Sequence, residues 1–184
     1  MKCSFVISAF NRPGHLKCLL ASLAIQTEPD FNALIMDNSP DNLNAAVVDE
    51  MSDPRFLHVH SSEKHCYASS NLGASLARGD YLCFPSDDDY YVPLFLELML
   101  KQETDLIYCN MLYDPKCALK EYGMIDVRPK IGKIDKGGFL VRRTKFIPFP
   151  WEQSLILADG MMVEKLIANQ LSHSKANGIL WVHN

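Results

Sequence analysis

Two rhythms of apolar residues alternate through the first two-thirds of the chain. Residues 3–8 form a compact run of apolar and β-forming side chains. Pro13 then opens a stretch in which Leu16, Leu19, Leu20 and Leu23 recur at helical spacing. Residues 31–36 repeat the strand-like run and stop at Asp37-Asn38-Ser39-Pro40, a turn sequence. The same reading predicts a helix over 42–51, a strand over 56–60, and a helix over 67–77 carrying Leu72, Leu76 and Ala77 on its apolar side, with a stop at Gly79. A strand over 81–84, a helix over 93–101 and a strand over 105–110 follow. Strands alternating with helices imply crossover units, and hence an α/β fold with a mostly parallel central sheet flanked by helices.

The last third is less regular. Residues 111–136 mix turn residues, lysines and short apolar pairs, and 137–143 reads as a strand entered through Gly137-Gly138. A helix is predicted over 159–169, with Met162, Leu166 and Ile167 on its apolar side, and a final strand over 179–182. No repeat, low-complexity segment or boundary interrupts the 184 residues, which predicts one domain. In parallel sheets ligands sit beyond the carboxyl ends of the strands. Polar clusters fall at those ends here: Ala9-Phe10-Asn11-Arg12, Asp37-Asn38-Ser39 and Ser86-Asp87-Asp88-Asp89.

Composition narrows the picture. Hydrophobic residues make up 48% and charged residues 22%, enough for a sizeable core, and a net charge of −4 without basic runs argues against a broad nucleic-acid surface. The six cysteines form no C-x-x-C pair, and Cys3, Cys83 and Cys109 sit inside apolar runs, as expected of reduced buried thiols rather than a zinc site. The N-terminal run is too short for a signal peptide, and no stretch approaches the roughly 20 apolar residues of a membrane helix. A cytoplasmic protein without a transmembrane segment is expected. No G-x-G-x-x-G follows the first strand, which disfavours dinucleotide binding.

Three consecutive aspartates repel one another, and each opposes ionisation of the next. A hard divalent cation removes that penalty, and Mg²⁺ in particular uses few protein carboxylates and takes other oxygens from phosphates. The competing reading is a solvated acidic turn capping the helix near Pro93.

The chain resembles glycosyltransferase family 2, the inverting enzymes of the GT-A fold. The resemblance rests on Ser4-Phe5-Val6-Ile7-Ser8-Ala9-Phe10-Asn11-Arg12-Pro13, Leu19-Leu20-Ala21-Ser22-Leu23, Gln26-Thr27, Ile35-Met36-Asp37-Asn38-Ser39, Asn71-Leu72-Gly73 and the segment 77–89, in that order. It implies a nucleotide-binding half over 1–95 and an acceptor-side half over 96–184, short for the family. It further implies transfer of a sugar from a nucleoside-diphosphate donor, usually a UDP-sugar, to a saccharide or other hydroxyl acceptor, with Mn²⁺ or Mg²⁺ as cofactor. By that resemblance Ala9, Phe10 and Arg12 hold the nucleotide, Asp37 bonds the base edge, and Asp87 contacts ribose or sugar. Asp88 binds the metal in the Asp-x-Asp (DXD) motif. Relatives often carry Asp where this chain has Ser86, so Asp89 is able to share either role. A late histidine, His183, is a further metal candidate, its alternative being a frayed terminus.

The resemblance also places the catalytic base at Asp159, where relatives often have an acidic pair and this chain has Ala158 first. The competing role is an N-cap. Gly137 and Gly138 would admit donor or acceptor close to the backbone, or form a plain turn. At most one of Arg142 and Arg143 is expected to reach a phosphate. His58, His60 and His65 read as surface residues, and Trp151 as a sugar-stacking wall or as core. Two other functions compete with transfer: a nucleotide-sugar-binding module without turnover, and a sugar nucleotidyltransferase.

Overall fold

The computed structural model describes residues 1–63, 65–113, 123–152 and 158–183. Among these, the strands are β1 (Cys3–Ala9), β2 (Phe31–Asp37), β3 (Phe56–His60), β4 (Tyr81–Cys83), β5 (Tyr90–Tyr91), β6 (Leu106–Tyr113), β7 (Gly123–Ile125), β8 (Phe139–Arg142) and β9 (His173–His183). The helices are α1 (Pro13–Ala24), α2 (Leu43–Met51), α3 (Cys66–Leu76), α4 (Phe95–Leu100), α5 (Arg143–Phe146) and α6 (Ala158–Ala168), and a single 3-10 turn spans Lys136–Gly138. The strands join in the order β3-β2-β1-β4-β8-β6-β9-β5, with β7 paired to β6.

The parallel sheet expected from the sequence is present in β3-β2-β1-β4. Beyond β4 the sheet is mixed: β8 runs antiparallel to both β4 and β6, and β9 is parallel to β6 but antiparallel to β5. The parallel part coincides with the helical crossovers α1, α2 and α3. Among the described residues between β6 and β8 there are β7, which runs antiparallel to β6, and turns but no crossover helix, so β8 enters antiparallel to β6.

Strands β1 and β2 are buried on both faces, and in register Val6 sits beside Leu34 and Ile7 beside Ile35. Helix α1 buries the four predicted leucines. Helix α3 corrects the sequence reading. It buries Ala68, Ser69, Ser70, Gly73 and Ala74, while Leu72 and Leu76 remain exposed. The cause is proximity to β1: a Cβ on Gly73 would come within 2.4 Å of Val6 Cγ1, so only small residues fit that face. The predicted strand 137–143 is divided into the 3-10 turn, β8 and the start of α5. The predicted strand 179–182 is the end of the longer β9.

Cys3, Cys83 and Cys109 are buried free thiols as expected, whereas Cys18 and Cys66 are exposed and Cys117 lies outside the described residues. Among the described residues no helix is long and apolar enough to cross a membrane.

Candidate active site

Strand order reverses at β1, with β2 and β3 to one side and β4 to the other. The loops leaving β1 and β4 therefore open side by side at a switch point, the place where such sheets bind ligands. Ser8 and Ser86 bridge the two strand ends, with the Ser8 N–H donating to Pro85 O at 3.3 Å. A cleft of about 760 Å³ opens there. Its walls include Ala9, Phe10 and Arg12 after β1, Asn38 and Ser39 after β2, Ser86, Asp87 and Asp88 after β4, and Lys136 and His183.

Asp87 ties the first loop to the acidic turn. The Phe10 N–H donates to Asp87 Oδ2 at 2.9 Å, and Arg12 Nη1 reaches Oδ1 at 3.4 Å. Burial pushes the Asp87 carboxyl above its usual range, with the Phe10 N–H and the Arg12 charge working against that rise. The same Arg12 nitrogen lies 2.5 Å from Asp88 Oδ2. Asn11 makes this turn possible by taking a left-handed conformation (φ 53°), while its N–H donates to Ser39 Oγ at 2.8 Å.

Two expected site residues, Asp37 and Asp89, are fully buried rather than facing the cleft. Asp37 is buried and does not line it. Asp37 Oδ1 accepts from the Ser39 N–H, Ser39 Oγ and Asn44 Nδ2, and Oδ2 meets His58 Nε2 at 3.0 Å. Burial opposes its charge, but the hydrogen bonds from His58, Ser39 and Asn44 hold the carboxyl below its ordinary range. Asp37 is thus the pin of the second loop, and its neighbours Asn38 and Ser39 face the cleft.

Asp89 is likewise fully buried: Oδ2 accepts from the Ser86 N–H at 2.8 Å, and Oδ1 meets His183 Nδ1 at 2.8 Å. The reason is sheet register. Antiparallel pairing of Tyr90 with Val182 sets the preceding Asp89 beside the following His183. Both Asp89 oxygens are engaged, so it supports His183 from behind rather than entering the cleft. His183 is no frayed terminus: it is paired to Tyr113 in the sheet and stacked on its ring at 5.5 Å. Burial disfavours its charge, but the hydrogen bond to Asp89 and the charges of Asp135, Asp89 and Asp88 raise its pKa to about 9.

Asp159 lies in the first turn of α6, partly exposed, and is not among the residues that line this cleft. Among the described residues its carboxylate accepts from Tyr67 Oη at 3.2 Å and from the Lys136 N–H at 3.3 Å, rather than from an N–H of its own helix. Burial, joined by the charge of Asp135, raises it to about 7, against the pull of Lys136.

Several other sequence candidates fall elsewhere. Arg142 meets Asp105 Oδ1 and Tyr81 Oη, Arg143 donates to Gly79 O, and neither lines the cleft. Gly137 and Gly138 admit no ligand; Cβ atoms there would strike Asp89 Oδ2 and the Trp181 ring. Trp151 is core, packed on Tyr67, Phe84 and Phe146. Of the histidines, His60 lines the cleft and His58 holds Asp37. Sequence reasoning missed Lys136, whose only signal is a lone lysine between Asp135 and two glycines before an apolar strand.

Among the described residues no three His, Cys, Asp or Glu side chains converge as a ready-made ion cage. At the cleft wall the Asp88 carboxylate, and the His183 ring once it gives up its proton to the binding, fit a divalent ion that takes its remaining ligands from phosphate and water. A carboxylate behind a histidine, as Asp89 stands here, is the usual support of a ligating ring.

The family model for Glycosyl transferase family 2 matches residues 4–136. An uncharacterized glycosyltransferase of Haemophilus influenzae is 29% identical over 129 residues, 70% of this chain and 44% of that protein. Among solved structures, S. aureus TarS 1-349 in complex with UDP-GlcNAc matches 100% of this chain and 58% of its own, with a TM-score of 0.79 at 16% identity. The mannosyltransferase PcManGT from Pyrobaculum calidifontis, in complex with GDP-Man and Mn²⁺, matches 99% of this chain and 56% of its own, with a TM-score of 0.79 at 11% identity. The fold is GT-A. The chain spans about half the length of these three proteins.

Proposed function

The chain belongs to glycosyltransferase family 2, and from that premise we propose that it moves a sugar from a nucleoside-diphosphate-sugar, a UDP-sugar, to a hydroxyl acceptor with inversion of the anomeric carbon. One observation carries the reading: Asp87 joins Phe10 and Arg12 across the switch point, at the mouth of a cleft that also holds Asp88 and His183. The donors present in the TarS and PcManGT complexes support a nucleotide-sugar, and the second supports Mn²⁺.

In this proposal residues 1–95 form the donor half and 96–184 the acceptor side. Ala9 and Phe10 wall the nucleoside, Asp87 bonds the ribose or sugar, and Arg12 orients both aspartates. Asp88 and His183 hold Mn²⁺ or Mg²⁺, with Asp89 fixing the His183 ring. Asp37 contributes by shaping the second loop. The ion, when bound, supplies Lewis-acid neutralisation of the departing diphosphate. Asp159 takes the proton of the attacking acceptor hydroxyl. With its carboxyl raised to about 7, it is a stronger base than an ordinary aspartate and is still ionised just above neutrality.

Thermal shift with UDP and GDP, with and without Mn²⁺, tests the donor site. One nucleotide should stabilise the protein, chiefly when metal is present, and Asp88→Ala should lose that dependence. Turnover is tested separately: the wild type should release UDP slowly from UDP-sugar without acceptor. Binding without any release would identify a nucleotide-sugar-binding module instead.

A further inference from the structure

We propose that Lys136 is the protein's own cation for the donor diphosphate, its ammonium contacting the oxygens that depart with the nucleotide. The inference rests on the donor reading above. It starts from an imbalance in the cleft. Arg12 is committed to Asp87 and Asp88, and His183 to Asp89. Lys136 lines the same cleft, is only 6% exposed, and makes no direct ion pair among the described residues, although its charge acts at longer range on Asp135 and Asp159. Its ammonium lies 5.7 Å from the centre of the Tyr67 ring. Asp135 and Asp159 offset part of the cost of its burial but lie beyond ion-pair distance, which leaves the ammonium able to take a closer anion from the cleft. A compact ammonium facing a cleft is suited to phosphate as a point charge.

The backbone holds Lys136 in place from both sides. Its N–H donates to Asp159 Oδ2, and the Gly137 N–H donates to Asp135 Oδ1 at 2.9 Å. Gly137 O accepts from Tyr91 Oη at 2.7 Å. Gly137 also lies so close to Asp89 that an added Cβ would be 2.6 Å from Oδ2. The Lys136 backbone is therefore fixed next to the Asp89–His183 pair, on the side of the cleft where the proposal puts the ion and hence the phosphates.

Calorimetry with UDP and with uridine, both in Mn²⁺, tests this on the wild type, Lys136→Met and Lys136→Arg. The Met variant should bind UDP about 10- to 100-fold more weakly, the effect of losing one charge-assisted hydrogen bond, with uridine affinity unchanged. Lys136→Arg should recover most of the loss. Equal UDP affinity in wild type and Met variant overturns the assignment. So does an equal loss for uridine, which would mark a merely structural role. A wild type that binds no nucleoside diphosphate, UDP or GDP, sinks the donor reading and this one with it. Should the Met variant fail to fold, reductive ¹³C-methylation of the wild type supplies the readout. UDP should then shift the Lys136 methyl signal and uridine should not, and an unmoved signal overturns the proposal.

Discussion

Asp159 is an ordinary residue type made basic by its place. Burial and the charge of Asp135 hold its carboxyl near 7, so a reaction that uses it as base should show kcat/KM rising with pH through about 7 and levelling above it. Asp159→Asn should lower sugar transfer by about 10²- to 10⁴-fold while leaving UDP affinity within a few-fold; unchanged turnover would remove Asp159 from the chemistry. Stability gives an independent check. A carboxyl whose pKa is raised on folding binds its proton more tightly in the native state. Its contribution is therefore full below about 4 and is lost as pH rises through about 7. The melting temperature of Asp159→Asn relative to wild type should accordingly increase between pH 4 and pH 8. A constant difference across that range would mean the carboxyl is not perturbed.

At the scale of elements, several residues that carry the family resemblance serve as pins rather than ligands. Asn71 on α3 donates to Trp151 O at 2.9 Å and accepts from the Trp151 N–H at 2.8 Å, fastening the helix to the segment ahead of α6. Gln26 bonds Val92 O and the Leu96 N–H, joining the end of α1 to the start of α4. Gly73 lets α3 lie against β1. Gly73→Ala should destabilise the protein by about 1–3 kcal/mol through overpacking against Val6, read as a lower denaturation midpoint with an unchanged slope. A neutral outcome would show that α3 has room to move away from the sheet. The amphipathic pattern of α3 misled because its leucines are spaced for a helix, yet the sheet lies so close that it selects the smallest side chains instead.

For the whole molecule, the decisive feature is the return of β9. It brings Trp181 under the Lys136–Gly138 turn and His183 to Asp89, joining residues on opposite ends of the chain in one wall of the cleft. Trp181 is fully buried and packs on Tyr91. Trp181→Ala should cost about 3–5 kcal/mol. It should also weaken Mn²⁺-dependent UDP binding more than metal-free binding, because the support of His183 loosens. A stability loss without that selective effect would separate the core from the site.

The α/β class, the parallel first half, the four buried leucines of α1 and the clustering of polar loops at strand ends were legible in the sequence, because each follows from neighbours within a few residues. The same local logic marked the acidic turn as the centre of interest. It did not tell which aspartate faces the cleft. Asp37 and Asp89 are buried by hydrogen bonds from His58, Asn44 and His183, residues distant in sequence or on other elements, while Asp87 and Asp88 reach the cleft from the same short turn. Only tertiary structure decided that, and only it exposed Lys136. Strand register and close packing set the direction of a side chain, and both are agreements between segments that no local pattern encodes.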